Sequence, residues 1–251
     1  MNEVLDRVEN YTWNGFRDFV VYKKVYESKD IISLYLKGND DLGLAEMKPG
    51  QFIGIKVKTE DDEIKKVVRM YSLSSTPKDD FYRVTIKIVE GGKLTTYLDK
   101  NLKEGDLLEV MMPKGNFKLE KEKINRPIVL LGGGIGVTPV YSMLKDIDDS
   151  KDTYFIYSLR NKDSECFLED VRSYKNSNNT KVNIFFTRPL NNEKLGIDYD
   201  FQGRISEEWI KNNLPLDGEF FFCGNKGFID TVKEALENLK VDKDRIHYEF
   251  F

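Results

Sequence analysis

The stretch IVLLGGGIGVTPVYSMLKDI, which begins at Ile128, constrains the fold more than any other part of this 251-residue chain. An apolar run passes through consecutive glycines directly into a segment with Val140, Met143, Leu144 and Ile147 at helical spacing. A buried strand joined to a helix by a short glycine turn is typical of parallel α/β sheets. The stretch therefore predicts an α/β domain in which these four side chains belong to the core.

The remainder of the C-terminal half repeats this alternation of apolar runs and helical segments. TYFIYSLR, KVNIFFTRP and EFFFCGN have the composition of buried strands, helical patterns separate them, and RIHYEFF adds a last strand. Strands that alternate with helices build doubly wound parallel sheets. We therefore expect residues 123–251 to form one α/β domain.

The N-terminal half has a different pattern. Short runs rich in Val, Ile and Tyr, such as DFVVYKKVYES and FYRVTIKIVE, are separated by Pro, Gly and Asp. One short helix, KLTTYLDKNL, interrupts them. This pattern predicts an antiparallel β-barrel over residues 13–122, preceded by a linker-like segment over residues 1–12.

The composition excludes several functional classes. A net charge of −4 with mixed signs disfavours a nucleic-acid-binding protein. One histidine and two cysteines are too few for a four-cysteine iron–sulfur cluster, a Cys/His zinc site or a disulfide framework, so no metal site is expected. The charged N-terminus does not resemble a secretory signal, and no apolar run is long enough to span a membrane. A cytoplasmic protein is the simplest interpretation.

The glycine turn is a candidate phosphate site. Gly134, Gly136 and Pro139 would allow a pyrophosphate to approach the N–H groups of the helix, although a plain tight turn would use the same residues. At the end of the next strand, Arg160 occurs where NAD-binding proteins usually carry an acidic residue. It favours NADPH over NADH, unless it is an ordinary solvated loop charge.

A second candidate site is RMYSLSS, residues 69 to 75. On a strand, Arg69 and Tyr71 share one face and Ser72 lies on the other, which suits a flat cofactor with a diphosphate tail. The later EGGKLTTYL offers another glycine-rich helix start and hence another anion site. The alternative is a barrel strand with a surface ion pair.

Taken in order, RMYSLS, the GGKLT element, GGGIGVTP and FFFCG resemble the motifs of the ferredoxin–NADP reductase superfamily. WNGFRDFVV and RIHYEFF further resemble the reductase half of flavohaemoglobins, here expected as a stand-alone chain. The resemblance implies an FAD-binding β-barrel domain followed by an NAD(P)-binding α/β domain. It also departs from the family pattern, because relatives continue beyond the E-x-F motif whereas this sequence ends at Phe251 and contains no globin.

The resemblance implies roles for individual residues. Ser72 would lie near the flavin N5, Cys223 would position the nicotinamide ring, and Glu249 would border the flavin. On the residues alone, Cys223 could equally be a small buried hydrophobe and Glu249 a salt-bridge partner. The full cofactor-binding set implied for FAD and the nicotinamide nucleotide is Phe52, Arg69, Met70, Tyr71, Ser72, Leu73, Ser74, Ile86, Lys87, Gly92, Lys93, Leu94, Thr95, Gly133, Gly134, Ile135, Gly136, Val137, Thr138, Arg160, Cys223, Gly224, Phe250 and Phe251.

Four side chains also have structural interpretations. Cys166 and His247 are expected to be structural, and Phe250 and Phe251 could be plain core residues. The implied activity is FAD-dependent NAD(P)H oxidation, with electrons passed to an acceptor in trans: a globin, ferredoxin, flavodoxin, free flavin or ferric compound. An FAD-binding sensor module or an electron-transfer subunit of a larger complex is the alternative.

Overall fold

The computed structural model describes residues 12–40, 42–148, 150–177 and 179–251. Most of the predicted linker-like segment, residues 1–12, therefore lies outside the described residues. The chain divides into two compact units, residues 1–118 and 119–251. This division is close to the domain boundary expected at residue 122, and the functional domain limits themselves remain a prediction.

The first unit is built on a six-stranded antiparallel sheet in the order β4-β3-β6-β1-β2-β5. An isolated antiparallel bridge between Leu73 and Val84 links the two outer strands, so the sheet closes as a barrel. The barrel core contains large side chains with no exposed surface, among them Phe19 and Tyr82. The elements of this unit are β1 Arg17–Ser28, β2 Ile31–Gly38, β3 Phe52–Val57, β4 Arg69–Ser72, β5 Tyr82–Lys87, α1 Lys93–Lys100 and β6 Leu107–Val110.

The second unit contains a six-stranded sheet in the order β10-β9-β8-β7-β11-β12. Every strand pair in it is parallel. The strands are β7 Ile128–Gly133, β8 Thr153–Leu159, β9 Thr180–Phe186, β10 Phe201–Gln202, β11 Glu219–Gly224 and β12 Ile246–Phe250. The helices are α2 Val137–Asp146, α3 Leu168–Ser173, α4 Glu207–Asn213 and α5 Lys226–Asn238.

Central strand β7 is buried along its whole length, as expected for a parallel strand covered on both faces. Val129 and Leu131 on one face join a core cluster with residues of α4 and α5. The predicted fold class, an antiparallel barrel followed by a parallel α/β sheet, is confirmed. Within the described ranges, no helix combines the length and apolar character needed to cross a bilayer.

Two details differ from the sequence-based expectation. Helix α2 buries Val140, Met143 and Leu144 as predicted, but it ends at Asp146, so Ile147 follows the helix and is only half-buried. The two-residue strand β10 was not predicted, because two residues carry no readable periodicity.

Candidate functional site

The RMYS segment forms β4, an outer strand of the barrel sheet. It pairs with β3 on one side, where Ser72 is opposite Phe52 and Tyr71 is opposite Ile53. Among the residues that the structure describes, none forms a ladder with residues 69–72 on their other side. An outer strand leaves main-chain N–H and C=O groups available to a ligand. The fold therefore places Phe52 and Ser72, two of the predicted cofactor-binding residues, directly opposite each other.

Tyr71 carries a polar atom that the barrel does not satisfy. Its ring packs against the barrel core, and its hydroxyl is buried without a hydrogen-bond partner among the described residues. Burial raises the pKa of this hydroxyl to about 12, a shift that the Arg69 charge partly opposes. The group therefore stays protonated at neutral pH. A buried hydroxyl without a partner is destabilising, so a ligand group that accepted its hydrogen bond would be favoured here.

Arg69, at the start of the same strand, is exposed and its guanidinium is largely unused. Within the described residues, its one hydrogen bond goes to the carbonyl of the neighbouring Val68, at 2.9 Å. Met70 is 49% exposed. It lies over Gly54, where a Cβ would come within 2.7 Å of the Met111 sulfur. A free guanidinium on an outer strand suits a phosphate group.

The residues that follow β4 are turned into the protein. Ser72 retains 4% of its surface, Leu73 none and Ser74 1%. The Ser74 hydroxyl is already engaged, since it accepts from Arg83 Nε at 3.0 Å and lies 3.0 Å from the Thr85 hydroxyl. The main-chain N–H groups of Leu73 and Ser74 are engaged as well, since they donate to the carbonyls of Gln51 and Arg83 at 2.8 Å, so these two residues can support a cofactor only by fixing the end of β4.

The second glycine-rich segment begins α1 with Gly92 as its N-cap. No side chain caps this helix and its first turn contains no acidic residue. An uncapped helix start leaves N–H groups for an anion. A Cβ on Gly92 would lie 2.6 Å from the Thr95 hydroxyl, so the turn needs glycine at this position.

The other predicted residues near this turn have defined places. Lys93 forms an exposed ion pair with Glu63 at 2.6 Å, and Lys87 pairs with Asp30 at 3.3 Å. Ile86 and Leu94 have 1% and 3% exposure and belong to the barrel core. Leu94 and Tyr71 therefore both pack against the barrel core.

In the second unit, the glycine turn lies against the end of β11. A Cβ on Gly136 would fall 2.4 Å from the Cys223 carbonyl oxygen, and one on Gly133 would fall 2.6 Å from the Phe228 ring. Gly134 adopts φ +56°, a left-handed conformation that favours glycine. The fold therefore brings the predicted turn residues into contact with Cys223 at the carboxyl edge of the sheet.

Helix α2 starts at this turn without a side-chain cap or an acidic residue in its first turn. Val137 and Thr138 are buried, and the Thr138 hydroxyl donates to the Ile135 carbonyl at 3.1 Å. Ile135 itself is half-buried. As at α1, the arrangement leaves the helix start available to an anion.

Cys223 and Glu249 are neighbours in the sheet. Cys223 is fully buried and pairs with Glu249 across β11 and β12. Burial, and then the charge of Glu249, raises the pKa of the Cys223 thiol, so the residue stays protonated. Burial also raises the pKa of Glu249. These shifts favour Cys223 as a positioning group and disfavour it as a nucleophile.

The remaining predicted side chains occupy the surface or a structural contact. Arg160 is exposed directly after β8. Phe250 and Phe251 are 68% and 55% exposed in the second unit. The interpretation of these rings as core residues of that unit is therefore wrong. The His247 ring stacks on Phe221, and its Nε2 atom forms a hydrogen bond with Glu219 Oε1 at 2.6 Å, as expected of a structural histidine.

Several supporting residues were missed by sequence reasoning. Phe228 fills the space left by Gly133 and Gly224. Gly54 similarly accommodates Met111. A glycine within a strand signals that a large side chain lies close to it in space. Only the fold shows which side chain this is. In the ranges that the structure covers, no group of three or more His, Cys, Asp or Glu side chains could hold a metal ion.

Comparison with known proteins gives the same division. Residues 18–119 match the family model for an oxidoreductase FAD-binding domain, and residues 130–234 match that for an oxidoreductase NAD-binding domain. The flavohemoprotein of Bacillus cereus is 35% identical over an alignment of 249 positions, which covers 95% of this chain and 61% of the relative. The chain thus spans less than two thirds of that relative's length.

Solved structures agree with this assignment. The flavohem-like FAD/NAD-binding domain of a nitric oxide dioxygenase from Vibrio cholerae matches with a TM-score of 0.84 and 28% identity, covering 95% of this chain and 99% of that one. Flavohemoglobin from Malassezia yamatoensis, solved with FAD and heme, matches with a TM-score of 0.82 and 26% identity over 96% of this chain and 61% of that one. The chain therefore belongs to the ferredoxin–NADP reductase-like oxidoreductases, with an FAD-binding domain followed by an NAD-binding domain.

Proposed function

We propose that the protein is an FAD-dependent NAD(P)H reductase that moves a hydride from NADH or NADPH to FAD and passes electrons on to an acceptor outside residues 1–251. When bound, FAD supplies the ability to take up two electrons together and release them singly. The chain's own residues bind and orient the two cofactors and keep water from the reacting atoms.

The observation that carries this proposal is the buried, unpartnered hydroxyl of Tyr71. In the proposed complex it donates a hydrogen bond to FAD, which satisfies the atom that the barrel leaves unpaired. Arg69, exposed on the same strand, would hold a cofactor phosphate, with the uncapped start of α1 as the second phosphate contact. Ser72, at the end of β4, would donate to the flavin ring near N5.

The second unit would hold the nicotinamide nucleotide. The N-terminus of α2 would take the pyrophosphate, while Cys223 and Gly224 would set the position of the nicotinamide ring. The Cys223 thiol suits this role because it is small and, with its raised pKa, stays neutral. Glu249 and the exposed rings of Phe250 and Phe251 would border the flavin in the working enzyme.

The test begins with the purified full-length protein loaded with FAD. Anaerobic mixing with NADH or NADPH should bleach the flavin absorbance in a single turnover, and ferricyanide should then restore it. A colourless protein that does not bind added FAD would refute the proposal. Bound flavin that neither nucleotide bleaches would favour the alternative of a binding or sensor module.

Arg69→Gln provides the residue-level test. Loss of a charge-assisted phosphate contact should weaken FAD binding by about 1.5–3 kcal/mol, or roughly 10- to 100-fold. The free energy of unfolding without FAD should change by less than about 0.5 kcal/mol, because Arg69 is exposed. Lys66→Gln, another exposed cation close in sequence, is the control and should retain FAD affinity. Equal FAD affinity in the parent protein and both variants would show that Arg69 does not bind FAD.

For the acceptor, we place a haem-binding globin first because the matched relatives are flavohemoproteins. Ferredoxin, flavodoxin, free flavin and ferric chelates complete the panel. Rates of acceptor reduction with the FAD-loaded protein would rank them, and a ferredoxin or a ferric chelate reduced much faster than the globin would contradict the first choice. A cytoplasmic location and the absence of nucleic-acid or membrane partners stay predictions.

A further inference from the structure

A lysine of strand β1 binds the C-terminal end of helix α1. The Lys24 Nζ atom donates to the main-chain carbonyls of Leu98 at 2.8 Å, Asp99 at 2.6 Å and Leu102 at 3.0 Å. Leu98 and Asp99 belong to the last turn of α1, and Leu102 follows it closely. An ammonium group has three N–H donors, so these three carbonyls use all of them.

These contacts satisfy carbonyl groups that a helix cannot satisfy itself. The last four carbonyls of a helix have no partner within it. In α1 the Tyr97 carbonyl accepts from the N–H groups of Asn101 and Leu102, at 2.9 and 3.2 Å. Lys24 satisfies the next two, those of Leu98 and Asp99. A cation at this end also complements the negative pole of the helix dipole, so Lys24 caps α1 from another strand.

The surroundings of Lys24 differ from those of its neighbour in sequence. Lys24 is half-buried, and burial lowers the pKa of its amine, a shift that the charges of Asp99 and Asp106 partly oppose. Its main-chain N–H donates to the Glu104 carboxylate at 2.8 Å. Lys23, by contrast, is exposed. Of these two adjacent lysines, one is therefore bound to the helix and the other faces solvent.

Helix α1 depends on such contacts because it has only eight residues. Isolated helices of this length are unstable in water. Leu94 and Leu98 anchor one face of α1 in the barrel core, and Lys24 holds its C-terminal end. The N-terminal end has neither a side-chain cap nor an acidic residue. The barrel thus orients the N–H groups at that end before any anion binds there.

Helix α2 in the second unit has the same arrangement. The carbonyl of its last residue, Asp146, accepts from the Lys121 ammonium, and the Asp146 carboxylate pairs with that ammonium at 3.2 Å. Both α1 and α2 begin at a glycine without a side-chain cap. Helices α4 and α5 begin instead with the side-chain caps Ser206 and Asn225. Both helices that start at a glycine therefore carry a lysine at their C-terminal carbonyls.

We infer that Lys24 is a positioning residue for FAD, because it holds the C-terminal end of α1 and so keeps the N–H groups at the other end aimed at the diphosphate of the cofactor. The inference rests on the proposed function, in which the start of α1 is a phosphate contact. Eight residues at about 1.5 Å each make α1 about 12 Å long, so the ammonium does not touch the phosphate. Its effect passes through the helix, by keeping a larger fraction of the protein competent to bind.

The test compares FAD with riboflavin, which carries the same ring system but no phosphate. Both flavins are titrated into the full-length, FAD-free protein, and the change in flavin fluorescence gives their affinities. Lys24→Met keeps much of the side-chain length and removes the charge and the donors. It should weaken FAD binding about tenfold and leave riboflavin binding unchanged. Parental FAD affinity in this variant, or an equal loss for both flavins, would overturn the inference.

Two control variants separate positioning from other effects. Lys23→Met removes the adjacent exposed charge and should keep the parental FAD affinity. Tyr82→Phe removes a buried hydrogen bond to the Ala45 carbonyl, so it lowers barrel stability at a distance from α1 and should also keep that affinity. If either control lost as much FAD affinity as Lys24→Met, general charge or stability would explain the loss and the inference would fail.

Lys24→Gln carries the test if Lys24→Met does not fold. It keeps an N–H donor but not the charge, so it should show a smaller loss of FAD affinity in the same direction. Parental FAD affinity in Lys24→Gln would then overturn the inference.

Flavin bleaching distinguishes failure of this inference from failure of the proposed function. If NADH bleaches the bound flavin and Lys24→Met binds FAD as the parent does, only the role of Lys24 fails. If the parent protein does not bind FAD, the proposed function fails and this inference fails with it.

Discussion

The two candidate sites are built in different ways. In the barrel, side chains on an outer strand form the site, and the strand itself remains ordinary β-structure. In the parallel sheet, the main chain forms the site, because Gly136 of the glycine turn is pressed against the end of β11 with no room for a side chain. A side-chain site can lose a contact and keep its fold, whereas a main-chain site cannot change a residue without moving the backbone.

Burial explains this contrast. Arg69 and Met70 on β4 are exposed, so substitutions there meet solvent. Strand β7, which leads into the glycine turn, is buried at every position. Interiors are close-packed and transmit small displacements to their neighbours. The parallel sheet should therefore show large and coupled effects of substitution, and the barrel site smaller and separable ones.

Gly136→Ala should give the largest effect. Its Cβ would lie 2.4 Å from the Cys223 carbonyl oxygen, so the turn or the end of β11 must move. We expect a loss of about 3 kcal/mol in the free energy of unfolding of this unit and loss of nicotinamide nucleotide binding, with FAD still bound. Thermal denaturation and NADH titration of the FAD-loaded protein measure the two quantities.

Gly134→Ala is the matched control for that substitution. Gly134 has φ +56° and open space around its Cβ position, so alanine adds strain but no clash. The cost should be about 1–2 kcal/mol, smaller than at Gly136. If Gly136→Ala proved as stable as Gly134→Ala and bound NADH normally, close main-chain packing would not be what shapes this site.

The same contrast explains what the sequence could predict. Periodicity was sufficient for both sheets, since each strand is long or apolar enough to show its pattern, with β10 as the exception. Local motifs also located both glycine turns. In each case the signal lay within a few neighbouring residues.

Features that depend on distant residues could not be predicted. The Tyr71 hydroxyl is unpaired because no described group of the barrel lies within hydrogen-bond distance of it. The Ser74 hydroxyl is engaged because Arg83 donates a hydrogen bond to it. The contact of Phe228 with Gly133 likewise follows from the strand order. A single sequence contains the residues but not these contacts.

Tyr71→Phe should produce effects of opposite sign with and without FAD. Removal of a buried hydroxyl that has no partner should stabilise the FAD-free protein by up to about 1 kcal/mol. The same change should weaken FAD binding by about 1 kcal/mol, or roughly fivefold, because the hydrogen bond to the cofactor is lost. Chemical denaturation of the FAD-free protein and a flavin fluorescence titration measure the two effects.

Tyr82→Phe is the control for Tyr71. The Tyr82 hydroxyl is buried too, but it donates to the Ala45 carbonyl at 2.7 Å. Its removal should destabilise the FAD-free protein by about 1 kcal/mol and leave FAD affinity unchanged. The proposed role of Tyr71 fails if Tyr71→Phe destabilises the FAD-free protein in the same way as Tyr82→Phe.

Glu249→Gln should give the smallest effect, since it changes one side chain beside a site made mainly of main chain. Burial raises the pKa of Glu249, so the folded protein holds this proton to higher pH than the unfolded chain does. Stability therefore falls as pH rises from the ordinary carboxyl pKa through the raised one.

The variant, which cannot ionise, should have the same free energy of unfolding as the parent at pH 4. At pH 8 its free energy of unfolding should be higher by about 0.3 kcal/mol, a small difference because solvent screens a half-buried group. Glu234→Gln, on the exposed side of α5, should follow the parent at both pH values. A Glu249→Gln stability difference that was the same at pH 4 and pH 8 would show that packing, not ionisation, sets the contribution of this residue.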